Sequence, residues 1–203
     1  VHTMAPVCKI IWLKEHEPEL FAKTHKFISI KEYVWFKLFG VFEVDYSIAS
    51  ATGLFAILKN TWSDYALTLA GISTEKLSIS VPTSFLRVGV LIDVLNQTGL
   101  TEDTPIVIGA SDGCMANLGS FATHAGVAAL TIGTSGAIRV ASTKPVFNFR
   151  AMTFNYRLDE NTFICGGPIN NGGVVLKWYA ENFLQKPLTS PEDYAALLRV
   201  LDE

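Results

Sequence analysis

The sequence predicts an α/β protein, and two observations support this class. Before Pro105, apolar residues recur mostly at helical spacing, whereas beyond it short apolar runs bounded by Gly, Thr and Ser predict strands. The composition, 49% hydrophobic and 17% charged, is that of a folded protein. Helices and strands that follow one another along the chain in this way favour sheets covered by helices.

Helices dominate the prediction for the first hundred residues. Residues 6–23 carry apolar side chains at helical spacing, and Pro18 is expected to open a second short helix within them. Glycines 40, 71 and 99 are expected to end three of the later helices, since glycine readily takes the left-handed conformation of a helix C-cap. The other helical segments are residues 30–39, 49–58, 62–69 and 90–97, and residues 42–45 are predicted to be extended.

Strands dominate beyond Pro105, up to two closing helices. The predicted strands are residues 106–108, 127–132, 137–141, 152–157 and 163–166, and the helices are residues 171–183 and 191–200. The change of pattern favours a domain boundary near residues 122–126, which divides the chain into domains 1–123 and 124–203. The second domain, with two strands joined at a Gly-Thr-Ser-Gly turn, then a third strand and a helix, resembles the start of the ribonuclease-H-like half of an actin-like ATPase fold.

Charge and composition exclude several classes of function. The net charge of -3 and the absence of a basic run argue against nucleic acid as a partner. No stretch approaches the ~20 apolar residues of a membrane-spanning helix. Three cysteines without C-x-x-C spacing are typical of reduced thiols in a cytoplasmic protein, and the histidines have no metal-ligand spacing.

Two segments carry candidate chemistry. Asp112 follows a predicted strand and opens a helix-like segment, where a carboxylate can accept a proton from a substrate hydroxyl. The alternative is that Asp112 only caps that helix. Gly133, Thr134 and Ser135 offer N–H and hydroxyl groups to phosphate oxygens, or they form only a hairpin turn. A base and a phosphate-binding turn together suggest phosphoryl transfer to an alcohol.

Other residues near these segments have structural alternatives. Asn170 and Asn171 could cap the following helix, or that helix N-terminus could present free N–H groups to a ligand. Trp12 is expected in the core, and Asp45 is expected to cap a helix. The sequence disfavours a serine-hydrolase role for Ser135, because the last glycine of G-x-S-x-G is missing and a hairpin does not supply the required strand-to-helix turn.

Residues 4–16, which read M-A-P-V-C-K-I-I-W-L-K-E-H, match the first signature of the FGGY family of carbohydrate kinases. Residues 45–50, 109–113, 133–136 and 166–168 follow in that family's order, so the chain resembles the family along essentially its whole length. The segments 29–33, 44–54 and 166–173 are most similar to members that act on gluconate, a sugar acid. A member acting on a polyol or ketose such as xylulose, or a non-catalytic actin-like module, is the alternative.

The resemblance implies roles for ten residues. Asp112 would be the catalytic base, and the sugar would lie against Met4, His2 and Gly113. ATP, with Mg²⁺, would lie against Gly133, Thr134, Ser135, Asn171, Gly172 and Gly173. The expected partners are therefore ATP and a small sugar or sugar acid, and the protein itself is expected to supply no metal site.

The family's opening D-x-G-T phosphate loop and its closing Gly-rich adenosine segment do not occur in these 203 residues. We therefore expect the chain to be a central part of a longer kinase and to be inactive alone. Association around residues 106–108 is also expected, and a homodimer is one form of it.

Overall fold

The computed structural model describes residues 3–201, and their first part is mainly helical. Seven helices are described up to residue 119, together with a 3-10 helix at Thr74–Lys76 and six short strands. In chain order these are α1 (Pro6–His16), α2 (Pro18–Lys23), α3 (Ile30–Phe39), β1 (Glu43–Asp45), α4 (Tyr46–Ala51), β2 (Phe55–Ala56), β3 (Thr61–Trp62), α5 (Asp64–Ala70), β4 (Ile79–Val81), β5 (Leu86–Arg87), α6 (Ile92–Thr98), β6 (Ile106–Val107) and α7 (Asp112–Gly119).

The second part is built on one antiparallel sheet. Its elements are β7 (Ala128–Ile132), β8 (Gly136–Ser142), β9 (Phe154–Arg157), β10 (Phe163–Ile169), α8 (Gly173–Asn182) and α9 (Pro191–Leu201). The strand order is β7-β8-β10-β9, with Leu130 opposite Ile138 and Cys165 opposite Val140. The turn between β7 and β8 is therefore a hairpin turn, as predicted. Among residues 3–201, no helix has both the length and the apolar character needed to cross a bilayer.

Local signals predicted α1, α2 and α3 correctly. Pro18 stands in the first turn of α2, and Gly40 ends α3 with a φ of 71°. The prediction for residues 49–58 was wrong, because Asp45 starts α4 earlier and the helix ends at Ala51. Beyond it the chain turns at Gly53, φ 77°, into the β2–β3 hairpin. The strands β4 and β5 were not predicted, because each is defined by a distant partner, β1 and β6 respectively.

Three buried apolar clusters form the core. The first joins α1 to α5 and includes Val7, Ile10 and Leu67, and the second joins α3 to β4 and includes Trp35 and Val81. The third joins α7 to the antiparallel sheet through Cys114, Leu158 and Ile164. Trp12 belongs to none of them, so its expected core position is wrong; its side chain is 51% exposed and stacks on His16.

Several hydrogen bonds join the helical part to the sheet, including one from Asn117 Nδ2 in α7 to the Arg139 carbonyl in β8 at 3.5 Å. The Arg157 N–H in β9 donates to Ser50 Oγ in α4 at 3.2 Å, and the Thr83 hydroxyl donates to the Leu158 carbonyl. These bonds and the third cluster place α4 and α7 against the sheet. The division into domains 1–123 and 124–203 stays a prediction.

Candidate active site

The loop between β6 and α7 presents Asp112. Ser111 is the N-cap of α7, since its hydroxyl accepts the Cys114 N–H at 3.4 Å. Asp112 is the first residue of the helix and is exposed, and its Oδ1 accepts the N–H of Gly113 at 2.7 Å. The alternative in which Asp112 caps the helix is therefore wrong: Ser111 does so, and the carboxylate keeps most of its acceptor capacity for solvent or a substrate.

A buried carboxylate holds this loop in place. Asp45 is fully buried, pairs with Lys31 at 2.6 Å and accepts N–H bonds from Ser47 and Ile48, so its expected capping role is confirmed. The Ser47 hydroxyl donates to Asp45 and accepts the N–H of Ser111 at 2.7 Å. This connection spans more than sixty positions of the chain, which is why the sequence pattern alone did not indicate it.

The turn at residues 133–135 is docked on the start of α8. The Gly172 N–H donates to the Thr134 carbonyl at 2.9 Å, and the Gly173 N–H donates to the Gly133 carbonyl at 2.6 Å. The N-cap of α8 is Gly172, with no side-chain bond, so the expected asparagine cap is wrong. The backbone N–H groups at the start of α8 were expected to be free, but those of Gly172 and Gly173 donate to carbonyls of the turn.

This docking requires glycine at position 172 and leaves little room for a side chain at position 173. A Cβ on Gly172 would lie 2.7 Å from the Ser135 carbonyl oxygen and 2.8 Å from that of Gly133. A Cβ on Gly173 would lie 3.0 Å from the same Gly133 oxygen. Gly172 and Gly173 therefore shape the turn, because only an absent side chain allows backbone to approach this closely.

The turn keeps donors for a ligand. The Gly133 N–H is used within the turn, where it donates to Ser135 O at 2.7 Å. The N–H groups of Thr134 and Ser135 meet no acceptor within residues 3–201, and all three residues are exposed. A cavity of about 440 Å³ beside the turn is lined by Gly133, Thr134, Gly173, Val174, Lys177 and Tyr194. Two free N–H groups with a lysine nearby can bind phosphate oxygens.

A cleft of about 1030 Å³ lies between the helical part and the sheet. Met4, Ser50 and Phe55 line it on one side, and Gly133, Ser135 and Tyr156 line it on the other. The structure thus brings Met4 and the turn to one space, whereas Asp112 and the Asn171–Gly173 segment are not among the lining residues. His2 lies outside the described residues.

Arg139 in β8 was missed by sequence reasoning and lines this cleft. Its Nη1 donates to Thr131 Oγ1 at 3.0 Å, and a Cβ on Gly113 would lie 3.0 Å from its Nε. The available signal was the alternation of β8, which places Arg139 on the same face as the buried Ala137. That face could be assigned only once the strand pairing was known.

The pKa of the Tyr156 phenol depends on burial and on the charges around it. Burial raises this pKa, charges on Cys114 and Asp112 raise that pKa further, and Arg139 opposes them. Among residues 3–201, no three His, Cys, Asp or Glu side chains converge in a way that could hold a metal ion.

The antiparallel sheet, its glycine-rich turn docked on a helix and the cleft facing the helical part define a protein of the actin-like ATPase fold, as predicted. The chain belongs to the FGGY family of carbohydrate kinases, whose N-terminal-domain profile matches residues 1–119.

Curated relatives and solved structures agree with this assignment. A gluconokinase of Bacillus licheniformis is 44% identical over 90% of this chain, and a xylulose kinase of Bacillus subtilis (strain 168) is 32% identical over 86%. These alignments cover 36% and 35% of the two relatives, so the chain spans about a third of their length. A gluconate kinase structure from Lactobacillus acidophilus is 34% identical with a TM-score of 0.89, over 98% of this chain and 40% of that one.

Proposed function

We propose that the complete protein containing this chain is a cytoplasmic kinase that transfers the γ-phosphate of ATP to gluconate, giving 6-phosphogluconate. The relatives support the substrate, because the gluconokinase is 44% identical and the xylulose kinase 32%. The observation that carries the proposal is the cleft of about 1030 Å³, which is lined both by Met4, the first residue of the family signature, and by Gly133 and Ser135 of the turn. Such a cleft suits a small polar substrate on one side and phosphates on the other.

Asp112 acts as the general base in this proposal. Its carboxylate is exposed at the first residue of α7, and one of its oxygens is oriented by the Gly113 N–H at 2.7 Å. It accepts the proton of the primary hydroxyl as that oxygen attacks the γ-phosphorus and the β–γ bridging oxygen leaves with ADP. The bond from Ser47 to the Ser111 N–H keeps the loop before Asp112 in place.

The turn binds the nucleotide phosphates. Thr134 and Ser135 contribute N–H groups, and Gly133 lets the phosphates approach the backbone closely. Gly172 and Gly173 contribute by holding the turn against α8. Asn171, which precedes them, is proposed to lie beside the nucleotide. Lys177 adds positive charge at the second cavity, since its partner Glu181 is 3.7 Å away and both are partly exposed.

Mg²⁺ fits this site as an ion bound mainly by ATP. Mg²⁺ in phosphoryl-transfer sites is held by one or two carboxylates plus phosphate oxygens, so a protein cage is not needed. Asp112 is the proposed base, so the ion would be held mainly by phosphate oxygens and water. When bound, the ion would neutralise charge on the phosphates.

A coupled assay of the complete protein over gluconate, xylulose, glycerol and ribulose tests the proposal. The highest kcat/KM is expected for gluconate. A neutral substrate that wins by more than ~10-fold, which is about 1.4 kcal/mol of transition-state discrimination, would overturn the sugar-acid assignment.

A xylulose kinase is the second candidate. It is favoured by a xylulose kinase structure from Lactobacillus acidophilus that is 33% identical with a TM-score of 0.88, close to the values for the gluconate kinase. The same assay separates the two, and phosphorylation of none of the four sugars would favour a non-catalytic module. A homodimer stays a prediction that size-exclusion chromatography can check.

A further inference from the structure

We infer that Arg139 binds the carboxylate of the sugar-acid substrate and so determines the preference for an acid over a neutral sugar; this inference rests on the proposed function. Of the described residues that line the cleft, Arg139 is the one with a charged side chain. The remaining lining residues are apolar or neutral. A carboxylate that enters such a cleft loses water and needs a charged, hydrogen-bonding partner in return.

The guanidinium of Arg139 is held in place but still has donors to offer. Nη1 donates to Thr131, whereas Nε is buried and has no hydrogen-bond partner within the described chain. No carboxylate of residues 3–201 lies within salt-bridge distance of it. Arg87, in contrast, has a carboxylate partner: its Nε and Nη2 donate to the two oxygens of Glu43 at 2.7 and 2.6 Å. The terminal nitrogen Nη2 of Arg139 also has no hydrogen-bond partner among the described residues, so it can donate to an anion bound in the cleft.

Gly113 leaves the space that the guanidinium occupies. A Cβ at this position would lie 3.0 Å from Arg139 Nε and 3.4 Å from its Cζ. The cation therefore lies beside the residue that follows Asp112. Because gluconate carries its carboxylate at C1 and its reacting hydroxyl at C6, a carboxylate held by Arg139 fixes the end of the substrate opposite the hydroxyl that reacts.

The test uses Arg139→Gln and Arg139→Lys in the complete protein, with gluconate and with glucitol. Glucitol has the same chain length and replaces the carboxylate by a neutral alcohol. Arg139→Gln is expected to lower kcat/KM for gluconate by at least ~100-fold, mainly through KM, and Arg139→Lys by less, since a lysine keeps the charge but not the planar fork. Binding of glucitol, measured as a substrate or a competitive inhibitor, should change by less than ~3-fold.

Arg157→Gln is the matched control. Arg157 also has a buried Nε without a partner, but its guanidinium stacks over Phe163 at 4.5 Å and does not line the cleft. It should leave the preference for gluconate over glucitol unchanged. Circular dichroism and thermal melting verify folding, and Arg139→Lys serves as the informative variant if Arg139→Gln does not fold.

Three outcomes would contradict the proposals, and they can be told apart. Equal losses for gluconate and glucitol would make Arg139 a structural or general catalytic residue. A raised KM for ATP with unchanged gluconate discrimination would assign it to the phosphates. A wild-type protein that prefers neutral sugars would instead overturn the proposed function, before any Arg139 variant is compared.

Discussion

The carboxylate of Asp112 combines exposure with a defined orientation. The Gly113 N–H at 2.7 Å orients one of its oxygens, and Ser111 caps α7 in its place. The helix start thus does not depend on Asp112, so this side chain can be changed with little effect on the fold. That separation makes a substitution at Asp112 a clear test of chemistry.

Asp112→Asn in the complete protein should lower kcat by ~10²–10⁴ while the KM for ATP changes little. Asparagine keeps the size of the side chain and can accept the Gly113 N–H, but it cannot take up the proton of the attacking hydroxyl. Steady-state kinetics with gluconate and ATP measure both constants. Near-normal turnover in a folded variant would reject the role of general base.

Ser47→Ala tests the support of the Asp112 loop. It removes the bond to the Ser111 N–H at 2.7 Å and leaves the buried Asp45 with one donor fewer. We expect the free energy of unfolding to fall by about 1–3 kcal/mol, because buried polar groups lose their partners. Urea denaturation measures this, with Ser120→Ala as the control, since the Ser120 hydroxyl donates to Ala116 O on the exposed end of α7. Equal small losses in the two variants would show that the connection contributes little.

At the scale of elements, the turn of the β7–β8 hairpin and the start of α8 form one unit. Gly172→Ala would place a methyl group 2.7 Å from the Ser135 carbonyl, so the turn must move. We expect the KM for ATP to rise by ~10-fold or more, because the turn that is proposed to bind the phosphates would be misplaced, at a cost of more than about 1.4 kcal/mol.

Gly167→Ala is the control for that substitution. Gly167 lies in β10 of the same sheet, and a Cβ there would meet nothing within 4 Å. Its KM for ATP should stay within ~2-fold of the wild-type value. If Gly172→Ala behaved like this control, the turn would not depend on its contact with α8 for nucleotide binding.

Local signals account for the elements that were predicted correctly. Pro18 and Gly40 act through their own backbone preferences, so α2 and the end of α3 could be inferred from neighbouring residues alone. Strands β4 and β5 could not, because their pairing with β1 and β6 is non-local. Arg139 was missed for the same reason: its role depends on which face of β8 meets Gly113, and no local pattern determines that contact.

At the scale of the whole molecule, Cys114 lies where α7 packs on the sheet. Burial raises the pKa of its thiol from 9.0 to about 11. The unfolded thiol loses its proton at a lower pH than the folded one, so its contribution to stability is complete below pH 9 and is lost as the pH rises towards 11.

The free energy of unfolding should therefore fall between those pH values, by roughly 2–3 kcal/mol for this thiol at about 1.4 kcal/mol per pKa unit. Urea denaturation at several pH values measures the fall. Cys114→Ala should remove this part of the pH dependence, while Cys165→Ala should retain it. A Cys114→Ala protein with the wild-type pH profile would contradict the prediction.

The two hydrogen bonds from Gly172 and Gly173 to the turn carbonyls also affect how the proposed nucleotide site is assembled. A hairpin that formed first would still leave those carbonyls solvated, and a helix that formed first would leave its opening amides exchanging freely with water. We therefore expect the geometry of the turn to be completed only when the hairpin and α8 meet. Slow deuterium exchange at the Gly172 and Gly173 amides would mark the molecules in which that step is complete, before any nucleotide is added.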